Sequence, residues 1–227
     1  MVTTCKIIDL GKIEYGAAFE LQKQAVREVM ADKSTTRVYL LEHPPVYTIG
    51  RAGGEHHVLV DEQQLKQLGI SLYEVDRGGD VTYHGPGQLV GYPILPLARW
   101  GNDVRRYIRM LEEVVIRFLR EYGIESGRIE GLSGVWVGNE KICAIGVKAS
   151  RDRAGKSFIT SHGFALNVQP DLSHFTHIVP CGIVDKGVTS MQRLLGREVP
   201  MDEVKRGWVR SFAEVFEVQC VWKRVAV

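Results

Sequence analysis

The sequence predicts one α/β domain, and three observations carry this prediction. Apolar segments of strand length alternate with long stretches in which apolar residues recur at helical spacing. No linker, repeat or low-complexity tract divides the 227 residues. The hydrophobic share of 44% and the charged share of 25% are ordinary for a globular protein. Because a chain of this length can bury a large core, we expect residues 1–227 to form a single domain without disulfide or metal support.

The first half of the chain predicts strands and helices in alternation. Predicted helices are an amphipathic one at residues 15–33, a short one at 61–68 between an Asp61 cap and Gly69, and a clear one that begins at Asn102 or Asp103 and ends at Gly123. Strands are predicted at residues 5–10, 37–41, 46–49, 72–77 and 89–97. Pro93 and Pro96 in the last of these indicate an edge strand or a bend, since proline donates no ladder hydrogen bond.

The second half predicts a β-rich region followed by helices. Gly138 and Asn139 are typical of a tight turn that joins two paired strands. The expected strands are residues 134–137, 141–149, 157–168 and 218–222, and the expected helices or turns are residues 171–177, 190–195 and 201–216.

Charge and cysteine usage narrow the class of protein. The 29 basic and 27 acidic residues give a formal net charge of +2, which does not indicate a nucleic-acid binder. No apolar run is long enough to span a membrane, and the first ten residues lack signal-peptide features. The four cysteines never form C-x-x-C, and His174 and His177 lack further ligands in a zinc pattern. We therefore expect a cytoplasmic protein with free thiols, no metal and no membrane or nucleic-acid partner.

A glycine-rich segment, RGGDVTYHGPGQ at residues 77–88, is a candidate binding loop. Glycines let the backbone approach a ligand closely, and exposed N–H groups there can hold a carbonyl or phosphate oxygen. A glycine-rich hairpin with a buried histidine is the structural alternative. The segment lacks dinucleotide-binding spacing, and no phosphate-binding P-loop motif occurs in the chain.

Cys181 and Lys141 are the candidate catalytic residues. Pro180 stiffens the turn that carries Cys181, and Gly182 leaves one side of the sulfur open. A reactive thiol needs a cationic or basic neighbour, because the thiolate is the nucleophile. Lys141 begins an otherwise uncharged strand and can supply that neighbour, whereas Lys148 lies on the opposite face if the strand is regular. A structural thiol and a solvated lysine remain the alternatives from these residues alone.

Four motifs together resemble one family, the lipoyl(octanoyl) transferases of lipoate biosynthesis. The motifs are RGGDVTYHGPGQ at residues 77–88, KICAIG at 141–146, SHGFALN at 161–167 and PCGI at 180–183, and the similarity runs in order from about residue 37 to residue 197. The resemblance implies the fold of the biotin and lipoate protein ligases, with a mixed sheet flanked by helices.

The resemblance also implies an activity. Family members transfer an octanoyl group from acyl carrier protein to a lysine of lipoyl domains, including those of 2-oxoacid dehydrogenases and the glycine cleavage H protein. Cys181 then matches the nucleophile that carries the acyl thioester, and Lys141 the lysine that activates it. The implied acyl pocket is lined by Arg77, Gly78, Gly79, Asp80, Val81, Thr82, Tyr83, His84, Ala144, Ile145, Gly146, Gly163, Phe164 and Ala165.

No cofactor is expected, because a thioester donor is already activated and needs no ATP. Small residues at Gly163 and Ala165 are expected to leave room for the alkyl chain. Three alternatives stay open: an ATP-dependent lipoate or biotin ligase on the same fold, a non-catalytic acyl-binding module, and a transferase that takes octanoate from an already modified domain.

Overall fold

The computed structural model describes residues 3–152, 154–179 and 186–223. The predicted α/β class is confirmed, with strands and helices alternating over the first half of the chain. The strands are β1 (Thr3–Lys12), β2 (Arg37–Glu42), β3 (Val46–Ile49), β4 (Ser71–Glu74), β5 (Val81–His84), β6 (Gln88–Ile94), β7 (Val135–Val137), β8 (Glu140–Arg151), β9 (Phe158–Asn167), β10 (Gly187–Val188) and β11 (Val218–Lys223).

The α-helices follow the predicted bounds to within about two residues. They are α1 (Tyr15–Ala31), α2 (Glu62–Leu68), α3 (Val104–Arg120), α4 (Met191–Leu195) and α5 (Met201–Phe216). The Asp61 side chain caps α2 in a capping box with Gln64, and Gly69 ends that helix in the left-handed conformation. Asp103 caps α3 by accepting from the N–H groups of Arg105 and Arg106. Within the described residues, no helix combines the length and the apolar character needed to cross a membrane.

The strands form two sheets. The larger sheet has the order β10-β8-β9-β6-β2-β1-β11, with β7 paired to β8, and the smaller one has the order β4-β3-β5. β1 pairs in parallel with both β2 and β11, whereas β2, β6, β9 and β8 pair antiparallel in succession. The larger sheet is therefore mixed, as the resemblance implied.

Helices cover both faces of the larger sheet. Alternate residues of β2 show this: Val38 and Leu40 pack into the core beside α3 and α5, and Tyr39 and Leu41 pack into the core beside α1. Because successive side chains of a strand point to opposite faces, a strand buried on both faces is apolar throughout.

The predicted strands differ from the observed strands in four respects. Residues 77–88 were expected to be a loop, but β5 occupies residues 81–84 and pairs with β3, and β6 begins at Gln88. The predicted strand at residues 72–77 is shorter, as β4, and the two-residue β10 was not predicted. β6 is not an edge strand, since it lies between β9 and β2. Pro93 is tolerated within β6 because the β6–β9 ladder ends at Gly91. The carbonyl oxygen of Pro93 accepts a hydrogen bond from the Thr160 hydroxyl (2.7 Å), and Pro96 lies beyond the end of β6.

Candidate active site

A pocket lies between residues 77–84 of the glycine-rich segment and the centre of the larger sheet. Strands β6, β8 and β9 supply one wall, and the glycine-rich segment supplies the opposite wall. Every residue that the sequence assigned to the acyl pocket lines it except Tyr83, and Lys141 lines it as well. The fold thus brings together three segments that are widely separated in the chain.

The glycine-rich segment is held in place by its own backbone and by Arg77. The buried Arg77 guanidinium donates to the carbonyl oxygen and the hydroxyl of Thr48 at 2.7 and 2.8 Å. The N–H of Gly78 donates to the carbonyl oxygen of Val147 on β8 at 2.9 Å. The N–H of Val81 donates to the Asp80 carboxylate at 2.6 Å. The N–H groups of Gly78 and Val81 are therefore engaged within the protein rather than presented to a ligand.

Asp80 and Tyr83 have roles that the sequence did not indicate. The Asp80 carboxylate pairs with Nδ1 of His57 at 2.7 Å, which ties the glycine-rich segment to the chain beyond β3. The Tyr83 side chain is buried in the small core of the second sheet, beside Tyr47 and Phe175, and does not line the pocket. Strand parity explains this, since Thr82 and His84 point away from the face that Tyr83 occupies.

The glycines at the pocket permit close backbone contacts. A Cβ on Gly163 would collide with the carbonyl oxygen of Gly91, and would lie 2.7 Å from Cδ of Pro93. A Cβ on Gly146 would lie 2.9 Å from the carbonyl oxygen of Gly78. The close contact between β9 and β6 therefore requires a glycine at position 163. This reason differs from the expected one, which was room for an alkyl chain.

A β-bulge turns Lys141 towards the pocket. Val135 pairs with Cys143 and Trp136 pairs with Lys141, so β8 has one extra residue, Ile142, opposite two consecutive residues of β7. A bulge changes the parity of the strand on one side of it. Lys141 consequently lines the pocket with Ala144, although in a regular strand it would share the face of Cys143, which is buried in the core with α3 and α5.

The same bulge changes the expected relation between the two lysines of β8. Lys148 was expected on the face opposite Lys141 in a regular strand, and the strand is not regular. Lys148 lies on the face of Ala144 and Gly146, where its ammonium group pairs with Asp76. The ammonium group of Lys141 lies over the ring of Trp136, 4.7 Å from its centroid. The two lysines thus share a face but contact different partners.

Cys181 lies outside the described residues, as does the rest of the predicted PCGI motif. On the described sides of this segment, Val179 donates its N–H to the carbonyl oxygen of His57 at 2.9 Å, and Val188 pairs with Lys141. Phe175, Lys186, Gly187 and Val188 line the pocket.

The three cysteines within the described residues are poor nucleophiles. Burial raises the pKa of the Cys5 and Cys143 thiols far above their ordinary value, and raises the pKa of Cys220 to about 11. Their thiolate fractions near neutral pH are therefore small. No group of three or more potential metal ligands occurs in the described ranges, so His174 and His177 do not form such a site there.

His43 and Tyr92 lie beside the pocket with the predicted His84, and no motif in the sequence marked either of them. Nδ1 of His43 donates to the carbonyl oxygen of Ile13 at 2.8 Å, and Nε2 accepts from the Tyr92 hydroxyl at 2.7 Å. Burial lowers the pKa of His43 to about 4 and that of His84 well below its ordinary value. Both rings are thus neutral near pH 7, and the His84 ring borders the pocket.

Other residues that line the pocket were not among those predicted from the sequence. Gln88, His162 and Asn167 stand inside the motifs quoted above, so their proximity to predicted residues was an available signal. The rest have no local pattern that marks them, because the fold brings them together; they are Tyr15, Tyr92, Ser133, Trp136, Phe175, Lys186, Gly187 and Val188.

Residues 14–213 match the family model of the lipoyl protein ligase A/B catalytic domain. An octanoyltransferase from Solibacter usitatus is 49% identical over 215 residues, which cover 95% of this chain and 94% of that protein. The chain belongs to the octanoyltransferase family. Membership of the octanoyltransferase family makes the protein an acyltransferase, and it confirms the resemblance carried by the four motifs.

Solved structures agree on the fold of this octanoyltransferase-family chain. A bi-partite lipoate protein ligase from Thermoplasma acidophilum superimposes with a TM-score of 0.71 at 18% identity, covering 99% of this chain and 88% of that one. A biotin protein ligase from Aquifex aeolicus gives a TM-score of 0.54 at 12% identity, covering 93% of this chain and 70% of that one. The expected biotin and lipoate ligase fold is therefore confirmed, and at these identities the similarity concerns the fold alone.

Proposed function

We propose that this protein transfers an octanoyl group from octanoyl-acyl carrier protein, through a thioester on Cys181, to a lysine of a lipoyl domain. The proposed acceptors include the lipoyl domains of 2-oxoacid dehydrogenases and the glycine cleavage H protein. The observation that carries the proposal is the pocket in which the bulge of β8 presents Lys141 beside Ala144, in a chain of the octanoyltransferase family. We take residues 1–227 as one catalytic domain in the cytoplasm.

The first half-reaction exchanges one thioester for another. The Cys181 thiolate attacks the carbonyl carbon of the donor, a C–S bond to Cys181 forms, and the C–S bond to the carrier breaks. The proton of the Cys181 thiol ends on the released thiol of the carrier. Lys141 stabilises the thiolate when its ammonium group is nearby, which is the usual means of activating a cysteine.

The second half-reaction is aminolysis of the Cys181 thioester. The neutral amine of the acceptor lysine attacks the same carbonyl carbon, the C–N bond of an amide forms, and the C–S bond breaks. One amine proton passes to the departing sulfur and restores the Cys181 thiol. Lys141 acts as the base that frees the incoming amine of its extra proton.

The apolar part of the pocket suits an alkyl chain. Ala144 and Ala165 line it with small apolar side chains from β8 and β9. Their neighbours Ile145 and Phe164 also border it, while their side chains pack in the core beside α3 and α5. Burial of an octanoyl chain there is favourable by about 0.8 kcal/mol for each methylene group removed from water. We propose that no cofactor takes part, because the thioester donor already holds the free energy that a free acid would need from ATP.

Two observations favour transfer over ATP-dependent ligation. The curated relatives at 44–52% identity carry the name octanoyltransferase, whereas the lipoate protein ligase structures are 17–18% identical. The chain also has no phosphate-binding P-loop motif. A purely acyl-binding module would need neither Cys181 nor Lys141.

The test is the intact mass of the protein after incubation with octanoyl-acyl carrier protein without ATP. We expect an octanoyl adduct that hydroxylamine removes, that maps to Cys181, and that disappears when an apo-lipoyl domain is added. Cys220→Ser serves as the control, since the Cys220 thiol is incompletely buried, and this substitution should leave the adduct unchanged. Absence of an adduct, with transfer only from free octanoate and ATP, would establish the ligase alternative instead.

A further inference from the structure

A relay of side-chain hydrogen bonds connects His84 to the strand that carries Lys141. The His84 Nδ1 lies 3.3 Å from Oε1 of Gln88. Nε2 of Gln88 donates to Oδ1 of Asn167 at 3.0 Å, and Nδ2 of Asn167 donates to the carbonyl oxygen of Thr189 at 3.0 Å. The N–H of Thr189 in turn donates to the carbonyl oxygen of Lys141 at 3.1 Å.

Two backbone carbonyl groups fix the direction of this relay. A carbonyl oxygen only accepts, so Asn167 must direct its amide nitrogen towards Thr189 and its oxygen towards Gln88. Nε2 of Gln88 also donates to the carbonyl oxygen of Tyr83 at 3.1 Å. The same nitrogen therefore donates to two acceptors. Oε1 of Gln88 is therefore the atom that faces His84, and it requires a donor there.

These hydrogen bonds determine which nitrogen of the His84 ring carries the proton. A neutral imidazole carries one proton, and the Gln88 oxygen requires that proton on Nδ1. Nε2 is then an acceptor. It has no hydrogen-bond partner within residues 3–152, 154–179 and 186–223. His84 lines the pocket, and its depressed pKa keeps the ring neutral.

We propose that Nε2 of His84 is the hydrogen-bond acceptor that orients the incoming lysine amine in the second half-reaction, and that Gln88 is the positioning residue that fixes its tautomer. This inference rests on the proposed function. An acceptor nitrogen is unsuited to the thioester carbonyl or its oxyanion, both of which require a donor. The acyl chain offers no N–H or O–H group, whereas the amine of the acceptor lysine does.

The proposed contact leaves the balance of the aminolysis unchanged. One N–H of the neutral amine donates to Nε2 of His84, so that the nitrogen lone pair is directed at the thioester carbon. The C–N bond forms, the C–S bond breaks, and the proton that the amine loses passes to the Cys181 sulfur. His84 gains no proton in this step, which agrees with its weak basicity. Orientation of a nucleophile in this way accelerates a reaction without changing its chemistry.

The experiment separates the two half-reactions by intact mass. His84→Leu is acylated with octanoyl-acyl carrier protein in one assay, and its preformed thioester is discharged onto an apo-lipoyl domain in another. We expect discharge to slow by about tenfold or more, the effect of one lost hydrogen bond in a closed site, while acylation stays within about threefold. Equal slowing of both steps, or unchanged discharge, would overturn the proposal. Tyr83→Phe is the matched control on the same strand, because Tyr83 does not line the pocket.

The role of Gln88 is tested by the tautomer itself. Nitrogen-15 NMR of the imidazole is expected to show a protonated Nδ1 and an unprotonated Nε2 in the unaltered protein. Gln88→Leu should lose that signature and slow discharge, because the oxygen that accepts from Nδ1 is gone. Protonation on Nε2 in the unaltered protein would refute the relay.

Failure of the inference is distinguishable from failure of the proposed function. If the unaltered protein forms no Cys181 thioester, the covalent pathway is wrong and so is the inferred amine contact. The NMR measurement still reports the tautomer of His84 in that case. If the thioester forms and His84→Leu discharges at the normal rate, the pathway stands and the inference is wrong.

Discussion

The ammonium group of Lys141 lies 4.7 Å from the centroid of the Trp136 ring. Trp136 stands opposite Lys141 on β7, at the position where β8 carries its extra residue. The bulge therefore both turns Lys141 into the pocket and places an aromatic face beneath its charge. A cation over a tryptophan face is stabilised by about 0.5–1 kcal/mol at exposed sites and by more when desolvated.

The first prediction concerns Lys141 itself. Lys141→Ala should reduce octanoyl transfer by at least about 100-fold, the usual range for loss of a positioned base. The thermal midpoint should change little, because the half-buried Lys141 side chain has no ion pair among the described residues. Transfer assays and thermal unfolding measure both effects. Lys148→Ala, on the same strand and face, is the control and should stay within a few-fold of normal transfer.

A second prediction addresses Trp136. Trp136→Leu removes the aromatic face and should slow transfer by about two- to fivefold, which corresponds to a cation–π free energy of about 0.5–1 kcal/mol. Trp136→Phe keeps an aromatic face and should recover part of that loss. Acylation rates for the two variants provide the measurement. Identical rates for the leucine and phenylalanine variants would show that the aromatic face beneath Lys141 does not contribute.

The third prediction uses the contact between β9 and β6. Gly163→Ala places a Cβ against the carbonyl oxygen of Gly91 and should lower the free energy of unfolding by about 1–3 kcal/mol, since a packed core resists an added methyl group. Denaturant unfolding measures the change. Gly127→Ala is the matched control, because nothing lies within 4 Å of its Cβ position. An equally stable Gly163→Ala protein would contradict the close approach of these strands.

A fourth prediction follows from the buried His43. Its folded-state pKa of about 4 lies below the ordinary value of 6.5, so between these pH values the unfolded chain binds more protons than the folded one. The unfolding free energy should therefore fall as the pH drops from about 6.5 to about 4. The contribution of this residue is on the order of 3 kcal/mol.

His43→Gln removes that titration and provides the measurement. Its unfolding free energy should depend less on pH than that of the unaltered protein over this window, even though loss of the contacts with Ile13 and Tyr92 lowers its stability at pH 7. Parallel pH profiles for the two proteins would show that His43 does not titrate differently on folding.

Much of the fold could be predicted because it depends on local signals. Asp61 and Gly69 delimit α2 as expected, since a side-chain cap and a left-handed glycine act within one helical turn. The turn at Gly138 and Asn139 joins β7 and β8 as predicted. The short strands β5 and β10 were missed because two to four residues offer too little alternation to detect, and their pairing is set by distant partners.

The residues of the candidate site could be predicted from local motifs, but the directions of their side chains could not. The four motifs were sufficient by themselves to place the chain among the octanoyltransferases, and they contained all the assigned lining residues. Which face each side chain occupies was not readable: Tyr83 points into the small core, and Gly163 accommodates β6. Strand parity depends on pairing with a neighbour, and one extra residue in β8 reverses it for Lys141.

The sequence by itself thus determined the fold class, the helix bounds, the family and the chemical types of the catalytic candidates. Only the tertiary structure decided that Lys141 faces the pocket above Trp136, that β6 is a central strand, and that His84 presents an acceptor nitrogen through Gln88 and Asn167. The physical reason is that caps, turns and motifs act between residues close in the chain. Sheet register, a bulge and a relay of hydrogen bonds exist only between segments that folding brings together.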